Sequence, residues 1–93
     1  MTESLSTPTT LFTVDAEADP HLPARILGLF TQRGLLPSWF SARSARGAGL
    51  RIVVEIAGLD DATCELLARK ALNIPTVLAV AQRRLLSRAA LVA

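Results

Sequence analysis

Residues 50–57 form the segment that most narrows the folds open to this chain. The even positions are all apolar, namely Leu50, Ile52, Val54 and Ile56. The odd positions between them hold both charged and apolar residues, namely Arg51, Val53, Glu55 and Ala57. Because successive side chains of a β-strand point to opposite faces, one face would be wholly apolar and the other mixed. The pattern predicts a strand that lies with one face against a core.

Three further segments have strand character. Residues 11–16 alternate in the same way and predict the first strand. Residues 37–45 predict a second strand, and the small residues 45–49 after it predict a hairpin turn. Residues 74–82 predict the last strand, with Pro75 at its start, where a missing N–H harms the ladder least.

The first helix is predicted from a start signal and an apolar face. Asp19 accepts hydrogen bonds from unpaired backbone N–H groups, and Pro20 suits the first helical position. Apolar residues follow at helical spacing: Leu22, Ile26, Leu29 and Phe30. Gly34 is expected to end the helix in the left-handed conformation. Gly28, inside the helix, costs roughly 1 kcal/mol relative to alanine, which indicates either close approach to another backbone or chance.

The second helix follows the strand 50–57. Gly58 ends that strand, and Asp60 is expected to cap the helix. One side of the helix carries Cys64, Leu67, Ala68 and Ala71. Asn73 stands where a left-handed C-cap residue is expected.

The element order βαββαβ predicts an α+β fold. Right-handed crossovers place both helices on one face of a four-stranded antiparallel sheet, the ferredoxin-like arrangement. The other face, with Val53 and Ala57, would then meet water or a partner.

Length and composition predict one domain that associates with other subunits. We expect a flexible leader over residues 1–10, a domain over 11–82 and a tail over 83–93. Of all residues, 51% are apolar and 19% are charged, which is a high apolar fraction for a chain of 93 residues. Some of that apolar surface should be covered by another chain, in a homodimer or a higher oligomer.

Membrane and metal-binding classes are not favoured. No apolar run approaches the ~20 residues that cross a bilayer, and residues 1–10 lack the pattern of a secretory signal. Cys64 is the single cysteine, so it can form neither an internal disulfide nor, by itself, a zinc site. We therefore expect a cytoplasmic protein without a metal.

Catalysis and nucleic-acid binding are also not favoured. The chain has one histidine, one cysteine and no tyrosine, and no spacing joins a nucleophile to a base, so we expect neither an enzyme nor a cofactor. His21 is expected to be an exposed first-turn residue, with ligand contact as the alternative. The strand 50–57 has no aromatic residue, and Glu55 offsets Arg51, which speaks against the RNA-binding proteins that share this topology.

Residues 18–34 carry a family resemblance. They contain Arg25, then Gly28-Leu29-Phe30, then Arg33-Gly34, and the run is similar to the first helix of acetolactate synthase small subunits, which are ACT domain proteins. Residues 37–43 resemble the strand that follows in that family, and residues 58–75, with Lys70, resemble its second helix. The resemblance covers most of residues 11–82.

The resemblance implies a regulatory function. It implies a non-catalytic homodimer that docks on a large thiamine-diphosphate-dependent catalytic subunit in branched-chain amino-acid biosynthesis. In this family an amino-acid effector, often valine, binds at the loop between the first strand and the first helix. The alternative is a stand-alone ACT dimer that senses an amino acid without an enzyme partner.

The candidate effector site departs from the family pattern. Ala18 stands for an asparagine of the loop, His21 for its glycine, and Leu36 for a second asparagine after the helix. His21 and Leu22 remain as candidate backbone donors, but Asp19 would compete for them and repel a carboxylate. We expect weak or absent valine binding.

Four residues are candidates for a protein interface. Trp39 and Phe40 are adjacent in a strand, so one points to the helices and the other to the open face of the sheet. An outward aromatic side chain would anchor a partner. Val53 on the open face and Gly28 on the first helix complete the set.

Overall fold

The fold has the predicted order of elements. The computed structural model describes residues 8–45, 47 and 49–85. Its six elements are β1 (Thr9–Glu17), α1 (Leu22–Thr31), β2 (Trp39–Ser44), β3 (Gly49–Ala57), α2 (Asp61–Leu72) and β4 (Val77–Leu85). The predicted βαββαβ, ferredoxin-like fold is confirmed.

The sheet is antiparallel throughout, with the strand order β2-β3-β1-β4. Strand β1 therefore lies inside the sheet, paired with β3 on one side and β4 on the other. Its first residue, Thr9, lies opposite both Ala57 and Leu85. The pairing of β1 with β4 shifts between Asp15 and Ala16, as in a β-bulge.

One face of the sheet and the inner sides of both helices form the core. The buried apolar residues of β1 and β3 follow the expected alternation: Phe12, Val14, Ala16, Ile52, Val54 and Ile56. Val77 is the buried apolar residue of β4. The helices contribute Leu22, Ile26, Phe30, Cys64, Leu67 and Ala71. The rings of Phe12 and Phe30 meet edge to face, with centroids 5.3 Å apart. The core is thus a single layer between sheet and helices.

Two of the predicted helix ends are confirmed. The Asp60 carboxylate accepts a hydrogen bond of 2.8 Å from the Thr63 N–H and caps α2. Gly34 has φ 75°, and the chain closes α1 there. The Leu35 N–H donates to the Phe30 carbonyl at 3.0 Å and the Gly34 N–H to the Thr31 carbonyl at 3.0 Å, the pair of bonds of a Schellman motif.

The helix starts and caps differ at two points. Helix α1 begins at Leu22, with His21 at its N-cap, so Asp19 and Pro20 precede it. Pro23 takes the first-turn position that we expected for Pro20. Asn73 follows α2 with φ −77°, in the right-handed region, so the predicted left-handed cap is wrong. Residues 74–76 continue as a turn, which removes the need for a left-handed residue.

The first and last strands, β1 and β4, differ from their predicted bounds. Strand β4 begins at Val77 rather than residue 74, because the Val77 N–H closes a turn on the Ile74 carbonyl at 2.9 Å. It extends to Leu85, three residues into the predicted tail. Thr9 and Thr10, predicted as leader, belong to β1 because they pair with both neighbouring strands. The rest of the leader and of the tail lies outside the described residues, apart from Pro8.

Gly28 lies in α1 with space around it. A Cβ atom there would meet only the Gln32 Nε2 atom, at an ordinary contact distance of 3.8 Å. The close backbone approach that we considered for Gly28 is not found within the described part of the chain.

We therefore expect Gly28→Ala to raise the free energy of unfolding by about 0.5–1 kcal/mol, because alanine loses less conformational entropy in a helix. Urea unfolding monitored by circular dichroism measures this change. Sedimentation of the same variant tests the interface assignment: a stabilised protomer with weakened self-association would place Gly28 at a subunit contact. A loss of stability without a change in association would contradict the expectation.

Candidate functional site

The loop between β1 and α1 is held by the side chain of Asp19. One carboxylate oxygen accepts a hydrogen bond of 3.0 Å from the His21 N–H. The other accepts a hydrogen bond of 2.9 Å from the Thr76 hydroxyl, in the turn before β4. Both hydrogen bonds lower the pKa of the Asp19 carboxyl below its usual value, and the bond from the His21 backbone has the larger effect. Asp19 therefore ties two crossover loops together as an anion.

Both candidate backbone donors of the loop are used within the chain. The His21 N–H donates to the carboxylate of Asp19, and the Leu22 N–H donates to its carbonyl oxygen at 3.1 Å. A ligand carboxylate at this helix start would meet occupied donors and the negative charge of Asp19. The arrangement disfavours an anionic group in the loop.

A shallow depression adjoins this loop. It has a volume of about 260 Å³. Its walls come from the loop and α1, and from the end of the β2–β3 hairpin: Ala18, Asp19, Pro20, Pro23, Ser44, Gly49 and Leu50. Sequence reasoning missed the hairpin residues. The register that pairs Glu17 with Gly49 brings them beside the loop, and a strand alignment could have indicated it.

The predicted effector residues are divided by the fold. Ala18 and Asp19 line the depression, whereas His21 is exposed outside its lining and Leu22 is fully buried in the core. Leu36 is 85% exposed and follows α1, at the opposite end of the sheet from Ala18. Six residues of β3 separate these two ends, a distance of about 20 Å. Leu36 and Ala18 therefore do not meet within one protomer, and the assignment of Leu36 to an effector site near a subunit boundary stays a prediction.

The helix-free face of the sheet presents the candidate interface residues. Trp39 is 53% exposed on this face, and Val53 lies half-buried beside it. Phe40 points to the other face and packs on the core, which settles the direction of the two adjacent aromatics. Arg51 pairs with Asp15 on β1 through hydrogen bonds of 2.8 and 3.2 Å.

Cys64 lies in the core. Its Sγ atom is 3.3 Å from the Thr10 hydroxyl and 3.5 Å from Arg84 Nη1, and Arg84 also contacts Asp61 at 3.1 Å.

Within the described ranges, no group of histidine, cysteine and acidic side chains is arranged to hold a metal ion. Neither α1 nor α2 has the length and apolar character that crossing a bilayer requires.

The two hydrogen bonds that the Asp19 carboxylate accepts, from the His21 N–H and the Thr76 hydroxyl, are called the Asp19 clamp. The clamp should make the stability of the fold depend on pH. A carboxyl whose pKa is depressed in the folded state stabilises the fold above its unfolded-state pKa, and this contribution is lost as the pH falls through the folded-state pKa. We expect Asp19→Ala to lower the thermal unfolding midpoint at neutral pH, and the difference from wild type to shrink below about pH 4.

Thermal unfolding across a pH series measures the effect of the clamp. Glu65→Ala, which removes an exposed carboxylate from α2, is the control. A difference between Asp19→Ala and wild type that stays constant down to the lowest pH would contradict the ionised clamp.

The family match, not the fold, defines the class of this protein, because a βαββαβ plait hosts many unrelated functions. ACT-like domains are small regulatory, ligand-sensing modules. Residues 4–89 match the family described as ACT-like domain, so the chain belongs to the ACT-like domain family. The comparison with curated proteins gave no match.

Solved structures share the fold at low sequence identity. The ACT domain of GTP pyrophosphokinase from Chlorobium tepidum has a TM-score of 0.70 and 12% identity, over 84% of this chain and 100% of that chain. The C-terminal domain of MgtC from Mycobacterium tuberculosis has a TM-score of 0.70 and 17% identity, over 91% and 93%. An uncharacterised protein from Thermotoga maritima has a TM-score of 0.68 and 16% identity, over 86% and 99%.

Proposed function

We propose that this chain is a non-catalytic regulatory small subunit, that its partner is the large thiamine-diphosphate-dependent subunit of acetolactate synthase, and that its own effector site is degenerate. The observation that carries the degenerate site is the hydrogen bond from the His21 N–H to the Asp19 carboxylate. An internal carboxylate takes the donor that an amino-acid effector would use. The sequence resemblance of residues 18–34 supports the choice of partner.

The large subunit would bind to the open face of the sheet, the face that carries no helices. Trp39 is a large apolar side chain, half exposed, with Val53 beside it. Aromatic residues of this kind often dominate interface energies. The subunit would act in the cytoplasm as a homodimer, in branched-chain amino-acid biosynthesis.

Reconstitution with the large subunit from the same organism tests the proposal. The purified chain is mixed with that subunit, and association and acetolactate formation are measured with and without valine. We expect association and a changed rate that valine does not alter. Absence of association would overturn the choice of partner, and a valine response lost in Ala18 or Leu50 variants would overturn the degenerate site.

The stand-alone sensor is the second candidate, because the depression beside Ala18 and Asp19 is open. Thermal-shift measurements on the chain alone, across the free amino acids, separate the two candidates. A ligand that binds the folded state raises the unfolding midpoint in proportion to the logarithm of its concentration. A rise with one amino acid and no association with the large subunit would favour the sensor.

A further inference from the structure

The open face of the sheet carries two arginines directly opposite each other. Arg43 on β2 is the cross-strand partner of Arg51 on β3. The Arg51 guanidinium donates from Nε and Nη2 to the carboxylate of Asp15. Within residues 8–45, 47 and 49–85, neither a hydrogen bond nor an ion pair engages the side chain of Arg43. Asp15 balances the charge of Arg51, so Arg43 is the guanidinium of this pair that remains to attract an added anion.

Two adjoining depressions share this arginine pair. The first, about 270 Å³, is lined by Trp39, Ser41, Arg43, Arg51 and Val53. The second, about 370 Å³, is lined by Arg43, Ser44, Ala45 and Arg51. Together they form a trough across β2 and β3, and each is close to the roughly 300–1,000 Å³ of ordinary small-molecule sites.

Three different functional groups lie along this trough, on the residues of β2 that point to the open face. Trp39, Ser41 and Arg43 follow one another on the same face, about 7 Å apart from one to the next. An aromatic ring is followed by a hydroxyl group and then by a guanidinium. Aromatic rings stack on bases, and guanidinium groups bind phosphate oxygens in pairs.

We propose that the open face of β2 and β3 binds a nucleoside polyphosphate. The base stacks on Trp39, the Ser41 hydroxyl meets the sugar, and the phosphates lie between Arg43 and Arg51. The separation of about 14 Å between Trp39 and Arg43 along the strand matches the length of an extended nucleoside triphosphate.

A single nucleotide fits this face better than a nucleic-acid strand. The chain has four aromatic residues, one tryptophan and three phenylalanines. The phenylalanines lie in or against the core, namely Phe12, Phe30 and Phe40. Trp39 is thus the one stacking platform, whereas single-strand binding proteins stack successive bases on several. Of the carboxylates on this face, Glu55 lies opposite Trp39, at the base end, and Asp15 is already paired with Arg51.

The inference does not depend on the proposed function, because it concerns the isolated chain. If both hold, nucleotide and large subunit would compete for Trp39. Loss of association with the large subunit would leave nucleotide binding unaffected, so the two proposals fail separately.

Titration of the purified full chain tests the inference. Trp39 is the only tryptophan, so its fluorescence reports on this face alone, and calorimetry gives a second readout. The probes are ATP, GTP, adenosine, inorganic tripolyphosphate and a short single-stranded oligonucleotide. We expect ATP or GTP to quench Trp39 and to bind more tightly than adenosine or tripolyphosphate. Absence of nucleotide binding, equal binding of tripolyphosphate, or tighter binding of the oligonucleotide would overturn the proposal.

Matched arginine variants locate the site. Arg43→Gln is expected to weaken nucleotide binding at least about tenfold, because a charge-assisted pair to phosphate is lost. Arg69→Gln removes an exposed arginine from α2 and is expected to leave binding unchanged. Circular dichroism confirms that both variants fold. Equal losses in the two variants would mean unspecific attraction to net charge and would overturn the assignment.

Discussion

Phe30→Ala is expected to lower the free energy of unfolding by about 3–5 kcal/mol. The side chain is only 3% exposed and meets the ring of Phe12 edge to face. Its removal forfeits the transfer free energy of a phenyl ring, leaves a cavity between sheet and α1, and ends the contact with Phe12. Because a small domain has only about 5–15 kcal/mol of stability, much of the fold's margin would be lost.

Urea unfolding followed by far-ultraviolet circular dichroism measures the Phe30 effect. Leu36→Ala is the matched control, since this apolar residue follows the same helix but is 85% exposed. Its substitution should change stability by no more than about 0.5 kcal/mol. Comparable losses in the two variants would mean that Phe30 is not part of the core.

Trp39→Ala should weaken docking on the large subunit by about 30-fold or more, which corresponds to an interface contribution of about 2 kcal/mol. The side chain offers a large rigid apolar surface that is 53% exposed in the isolated protomer. A large, exposed aromatic side chain contributes much to the free energy of binding when a partner buries it. The expectation follows from the proposed function, and the dissociation constant measured by calorimetry checks it.

Leu78→Ala is the control for the docking measurement. Leu78 is also an exposed apolar residue, at 64%, but it lies on β4, at the edge of the sheet opposite β2. We expect its substitution to leave the dissociation constant unchanged. If Leu78→Ala weakened docking and Trp39→Ala did not, the docking surface would be the β4 edge.

Local sequence signals predicted most of the fold. The alternation in residues 50–57 and the helical spacing of residues 22–30 each depend on near neighbours, and both elements are found. The Asp60 cap and the Gly34 helix end are likewise set by residues within one turn. The errors fall where a local pattern is weak: Thr9 and Thr10 join a strand through pairing with distant residues rather than through apolar periodicity.

The site was less predictable because distant segments build it. The hydrogen bond between Asp19 and Thr76 joins residues 57 positions apart, and nothing near either residue indicates it. The family pattern places Leu36 in the effector site, although within one protomer the fold carries this residue to the other end of the sheet from Ala18. Pleating predicts that Trp39 and Phe40 point to opposite faces of the sheet. It does not predict which of the two side chains points to the helices.

The interior position of β1 has a consequence for how this protein is made. The ribosome releases β1 before both of its partner strands, residues 49–57 and 77–85. One hydrogen-bonding edge of β1 must therefore wait for residue 57 to be translated, and the other for residue 85. Pairings so distant in sequence slow folding, and they leave the nascent chain exposed to aggregation until β4 emerges.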